Sequence, residues 1–106
     1  MDKKIKHLPL ILNDTNFLSR IRKVLVERPL FLTEHAKLRM KQRKVSLKQV
    51  RECVAKGAVE EPAHLTAHGD WAATLGYFYA GELLKVVAAI SRDTKGELIV
   101  VITVII

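Results

Sequence analysis

The apolar pattern of this chain changes period once, at Gly57, and that single change limits the folds open to it. Before the glycine, apolar residues recur every three or four positions; after it, β-branched and aromatic residues come in short runs separated by turn residues. From Thr15 to Glu27, Phe17, Leu18, Ile21, Val24 and Leu25 keep helical spacing, with Asn13, Asp14 or Thr15 as the cap. Arg28 and Pro29 end that helix. After a short extended piece, Leu30 to Leu32, a second helix is expected from Thr33 or Glu34 to about Arg43, built from good helix formers. Ser46 with Gln49 three residues later makes a capping box for a third helix, along which Leu47, Val50 and Val54 share a face. Gly57 is expected to close it in the left-handed conformation common at helix ends.

Four strands are expected beyond Gly57. Ala58 to about Thr66 is interrupted or edged by Pro62, and Trp71 to Tyr79 follows. Glu82 to Ser91 comes after an Ala80-Gly81 turn, and Leu98 to Ile105 after Asp93-Thr94-Lys95-Gly96. Connections this short make antiparallel neighbours. The last strand is almost wholly apolar, which places it centrally or under cover on both faces. The fold class is therefore α+β, with N-terminal helices packed on one face of a C-terminal antiparallel four-stranded sheet. No repeat, low-complexity tract or linker divides residues 1–106, so a single domain is expected.

A chain of 106 residues can bury roughly two thirds of its unfolded surface, enough for one core without disulfides. Cys53 is the only cysteine and reads as a small buried residue on a helix. Lys3, Lys4 and Lys6 before the run from Leu8 to Leu12 resemble the start of a secretory leader, but the run is short and Asn13-Asp14 follows without a small-residue cleavage site. The closing run from Leu98 to Ile106 is nine residues, about half a membrane helix. These features point to the cytosol and away from the membrane. Charge separates the halves. Up to Arg51 there are 14 basic and 4 acidic residues, and after it 4 basic and 7 acidic, for a net charge of +7. A surface of that kind attracts a polyanion: nucleic acid, acidic lipid or an acidic partner.

The densest chemistry lies between Thr33 and Arg43. His35, Arg39 and Arg43 are each four residues apart and form one helical stripe, with Ala36 and Met40 beside it and Lys37 and Lys41 turned toward solvent. Like charges one turn apart repel, so an anion is expected between the arginines: a carboxylate of this chain, or a phosphate that bridges the stripe. Attack of a ribose 2′-hydroxyl on the adjacent phosphorus needs a proton acceptor, a proton donor and cations around the phosphoryl oxygens. Histidine suits either proton role, arginine grips two oxygens, and no metal is needed. In the alternative, His35 caps or packs locally and the arginines run into water or pair with Glu34, Glu60 or Glu61.

The stretch from Leu32 to Ile105 resembles the small bacterial family called domain of unknown function 4258. The resemblance rests on H-A-x-x-R-M-x-x-R at His35, Ala36, Arg39, Met40 and Arg43 and on the capped helix from Ser46 to Gly57. It continues through Gly76-Tyr77, the strand Lys85 to Ile90 and the closing Val101-Ile102-Thr103-Val104. Such domains are grouped with the barnase, colicin tRNase and RelE-like toxin fold, which implies a metal-independent ribonuclease, often a toxin restrained by a cognate antitoxin. By that resemblance His35 is the acid or base, Arg39 and Arg43 are phosphate ligands, and Thr103 is a hydroxyl donor to the same phosphate. Thr103 is expected to share a strand face with Ile99, Val101 and Ile105. Arg92 is a further cation, and Tyr77 and Tyr79 are base-stacking candidates, with core packing as the competing role. Lys37 and Lys41 offer general attraction for RNA.

Residues 1–29 are an N-terminal extension before the 30–106 core, and Arg20, Arg22 and Lys23 make its helix basic, so it either widens the RNA surface or covers a sheet edge. His64 and His68 have no third ligand in view and lie among strand and loop residues, so no metal or other cofactor is expected. Two readings from other classes stand beside the enzyme: a catalytically inert nucleic-acid- or protein-binding module, and an inhibitor or immunity protein that docks an enzyme.

Overall fold

The computed structural model describes residues 12–106. Lys3, Lys4, Lys6 and the apolar run up to Ile11 lie outside the described residues. The elements are α1 (Asp14–Glu27), β1 (Phe31–Leu32), α2 (Glu34–Arg43), α3 (Leu47–Lys56), β2 (Ala58–Leu65), β3 (Trp71–Tyr79), β4 (Glu82–Asp93) and β5 (Gly96–Ile105). Each helix starts where a side chain satisfies the free backbone donors of its first turn. The Asn13 carboxamide oxygen accepts from Asn16 N at 2.8 Å, and Ser46 and Gln49 exchange the two bonds of a capping box at 3.2 and 2.7 Å.

The fold is α+β, and the meander β2 to β5 is antiparallel as expected. The sheet has a fifth strand, however, and its order is β1-β5-β4-β3-β2. β1 runs parallel to β5, with Phe31 opposite Val100 and Leu32 opposite Val101. β1 falls in the extended piece expected from Leu30 to Leu32, but two residues carry no periodicity and the partner lies at the far end of the sequence, so neither the pairing nor its direction is written locally. β5 is accordingly interior to the sheet, but helices cover it on one face only. Ile99, Val101 and Val104 are buried beneath them, whereas Val100 and Thr103 on the other face are half-buried.

Two further expectations are corrected. Gly57 is not left-handed: its φ is −71°. A Cβ there would lie 2.5 Å from the Cys53 carbonyl oxygen and 2.7 Å from that of Gly76, so glycine lets the end of α3 close onto the β3 backbone. The left-handed residue at a helix end is Lys44, after α2. Thr103, in turn, does not share a face with Ile99 and Val101. Val87 pairs with Thr103 while Ala88 pairs with Val101, which leaves Ile102 as the extra residue of a β-bulge. The bulge shifts the alternation by one, putting Val104 in the core and Thr103 on the open face.

One core joins all three helices to the sheet. Phe17 and Ile21 of α1, Val50, Cys53 and Val54 of α3, and Leu75, Val86, Ile99, Val101 and Val104 of the sheet are fully buried in it. The Cys53 thiol donates to the carbonyls of Leu75 and Leu84 at 3.4 and 3.6 Å. Burial pushes it up to about 12, so it is no nucleophile near neutral pH.

Candidate functional site

Helix α2 is seated on the outer edge of β5 by three bonds. Thr33 caps the helix by accepting from Ala36 N at 3.0 Å, and the same hydroxyl donates to the Ile102 carbonyl at 3.0 Å. Thr33 N donates to the Val101 carbonyl at 3.2 Å. One turn along, Arg39 Nε donates to the Val104 carbonyl at 3.3 Å. Ala36 is fully buried, and its small side chain lets the helix approach closely. The bond to Val101 completes the β1–β5 ladder, and those to Ile102 and Val104 use carbonyls beyond the two-residue β1, closing the edge of the sheet.

The stripe lies along this seam. His35 and Arg43 are exposed and Arg39 is half-buried. Among the described residues no carboxylate lies within ion-pair distance of Arg39 or Arg43: Glu34 pairs with Lys37 at 3.4 Å, and Glu61 accepts from the Thr74 hydroxyl at 3.2 Å. Of the two anions expected between the arginines, a carboxylate of this chain or an external phosphate, the described residues do not supply the first. His35 and Arg39 are about 6 Å apart along the helix axis and His35 and Arg43 about 12 Å, so the stripe matches successive phosphates of a chain better than one phosphate bridged by all three.

Thr103 immediately precedes the residue whose carbonyl Arg39 holds, and its side chain lies on the open sheet face. Arg39 and Thr103 thus meet the same short stretch of β5, Arg39 at its edge and Thr103 on its open face, and His35 stands one turn before Arg39 on α2. Arg43 stands a turn further on, lining a cleft of about 150 Å³ with Lys44, Gln49, Tyr79 and Glu82. Tyr79 is 47% exposed there, whereas Tyr77 is half-buried. Tyr77 packs against the core, and its hydroxyl donates to Glu52 at 3.5 Å. Sequence reasoning finds Thr33 only as a start of α2, because its second bond depends on β5, and misses Lys85. Lys85 pairs with Ile105 in the row beside Thr103 on the open face. Its signal was legible as the one charge between Leu84 and Val86.

Other cations are engaged elsewhere. Arg20 grips Glu97 through bonds of 3.2 and 2.9 Å, and Arg92 reaches the same carboxylate at 3.3 Å. Arg22 donates to the carbonyls of Val54 and Gly57 at 3.2 and 2.6 Å, tying α1 to the end of α3. Lys23 lines a cleft of about 910 Å³ between α1 and the β4–β5 turn, together with Arg20 and Arg28. Glu97 is seven residues from Val104, roughly 23 Å of strand, so Arg20, Arg92 and Lys23 are not brought to the α2 stripe. Lys37 and Lys41 are exposed on α2 itself. His64 Nδ1 lies 3.2 Å from the Pro62 carbonyl, and among the described residues no three His, Cys, Asp or Glu side chains are grouped to hold a metal.

Arg28 grips Asp93 through bonds of 2.9 and 2.8 Å, and this, with a bond from Lys95 N, holds the Asp93 carboxyl down to about 2. A carboxyl depressed by folding stabilises the fold above its ordinary range near 4, and the contribution is lost as pH falls toward about 2. Asp93→Asn is therefore expected to lower the urea midpoint at pH 6 and to converge with the parent chain near pH 2. A difference that stays constant across that range would refute the assignment.

A family model described as "Domain of unknown function (DUF4258)" matches residues 32–106, which takes in α2, α3 and β2 to β5 and leaves α1 outside. No curated protein and no solved structure matches the chain. Among the described residues no helix is long and apolar enough to cross a membrane.

Proposed function

The chain belongs to the DUF4258 family, and we propose that it is a metal-independent endoribonuclease of toxin type, acting in the cytoplasm and restrained by a cognate antitoxin protein. The observation that carries this reading is the stripe itself: a histidine and two arginines, seated on a strand edge, with no carboxylate among the described residues holding either guanidinium. Arginines left unpaired in a protein that pairs Arg20, Arg28 and Arg92 internally are available to an external anion. In the proposed reaction the ribose 2′-oxygen attacks phosphorus and loses its proton, while the 5′-oxygen leaves with one, giving a 2′,3′-cyclic phosphate. His35 carries one of these transfers, Arg39 and Arg43 stabilise the phosphoryl charge and its neighbour, and Thr103 donates to a phosphoryl oxygen.

A second reading has one specific observation in its favour. The carboxylates that the sequence offers the stripe from the sheet, Glu60 and Glu61, are on β2, three strands from β5 and roughly 14 Å across it, so neither is a partner for His35 in proton transfer. A single histidine suits a catalytically inert module that binds RNA as well as it suits an enzyme using water as the second proton carrier. Incubation of the purified chain with end-labelled RNA in excess chelator separates the two. Cleavage products ending in cyclic phosphate are expected. Salt-sensitive binding without products assigns the module, and neither binding nor cleavage overturns both readings.

A further inference from the structure

On the surface away from the sheet, α1 and α3 border a groove of about 500 Å³ that the α2 stripe does not touch. Its lining is mainly apolar. Leu25 of α1 forms one wall, and Leu47 and Ala55 lie along α3 in the row Leu47, Arg51, Ala55, each one turn apart. Leu47 is 49% exposed, an apolar side chain left in water by the folded chain. The rim is cationic, with Lys48, Arg51 and Lys56 against one carboxylate, Glu52, which already accepts from the Tyr77 hydroxyl. Arg22 binds the last carbonyls of α3 from α1, so the two walls are fixed to each other before anything enters.

We propose that this groove binds an acidic amphipathic helix of a partner protein. Its composition selects that occupant. Nucleic acid would satisfy the three cations but set its backbone against Leu47 and Leu25 with nothing apolar to bury. An extended peptide would find no strand edge to pair with, because both walls are helices whose backbone groups are bonded internally. A helix brings its own backbone bonds, places apolar side chains at three- and four-residue intervals on the floor, and presents carboxylates to Lys48, Arg51 and Lys56. The inference stands apart from the ribonuclease reading, since neither His35 nor Arg39 enters it.

The test uses the full chain and a fluorescein-labelled 16-residue helix-forming peptide with leucines at three- and four-residue spacing and glutamates elsewhere. Its scrambled isomer and a single-stranded RNA serve as competitors. Saturable binding is expected. Leu47→Glu and Arg51→Glu are each expected to weaken it at least about tenfold without lowering the melting temperature, and Lys95→Glu, distant from the groove, to leave it unchanged. Absence of binding, equal binding of the scrambled isomer, indifference to both groove variants, or displacement of the peptide by RNA would each overturn the proposal. Cleavage of RNA by Arg51→Glu is a separate readout, so failure here is distinguishable from failure of the enzyme reading.

Discussion

His35→Ala is expected to lower RNA cleavage by at least about a hundredfold while leaving RNA affinity within a few-fold of the parent chain, because a general acid or base contributes to the transition state rather than to ground-state binding. Arg39 needs a more careful variant, since its Nε also holds the Val104 carbonyl. Arg39→Gln keeps an N–H donor for that carbonyl and removes the charge. If Arg39 serves a phosphate, this variant melts close to the parent, binds RNA more weakly, and shows a salt dependence reduced by about one phosphate contact. If it serves only the strand edge, Arg39→Gln behaves like the parent and Arg39→Ala alone is damaged. Retained cleavage in both His35→Ala and Arg39→Gln would remove the stripe from the reaction altogether.

Phe17→Ala is expected to destabilise the protein by about 3–5 kcal/mol, a large share of the roughly 5–15 kcal/mol that holds a domain of this size together. Phe17 is fully buried and is among the largest such side chains in the core, yet it lies in α1, outside the residues that match the family. The prediction therefore asks whether α1 is an appendage or part of the fold. Its partners argue for the latter: Ile21, Val24 and Leu25 enter the same core as Val54, Leu75 and Ile99, and Arg22 closes the carbonyls at the end of α3. A urea midpoint lowered by less than the equivalent of about 1 kcal/mol would show that the sheet, α2 and α3 stand without it.

Helix positions were legible because each helix carries its own start signal, as at Asn13, Thr33 and Ser46. Three features were not, and each depends on a distant segment. β1 exists only because β5 offers it an edge. A place at the end of a helix suggests a left-handed Gly57, whereas the constraint on it comes from the Cys53 and Gly76 carbonyls packed against it. The bulge at Ile102 leaves no mark in a run of β-branched residues, yet it decides which face Thr103 occupies. The stripe was legible as spacing, and its lack of an ion pair with any carboxylate of the described residues was not. Eleven acidic residues gave every arginine a possible partner, and only the fold assigned Glu97 to Arg20 and Arg92, and Asp93 to Arg28.

The seating of α2 on β5 also sets an order in time. Thr33 and Arg39 are anchored to carbonyls of Ile102 and Val104, which leave the ribosome more than sixty residues later. While the chain is being made, the helices precede the strand that positions them, and local pairing within the β2-to-β4 meander precedes the long-range closure onto β5. A nascent chain halted anywhere between residues 43 and 102 contains His35, Arg39 and Arg43 but has nowhere to set them. The arrangement arises only with the last strand, so the chain carries the residues of its site long before it carries the site.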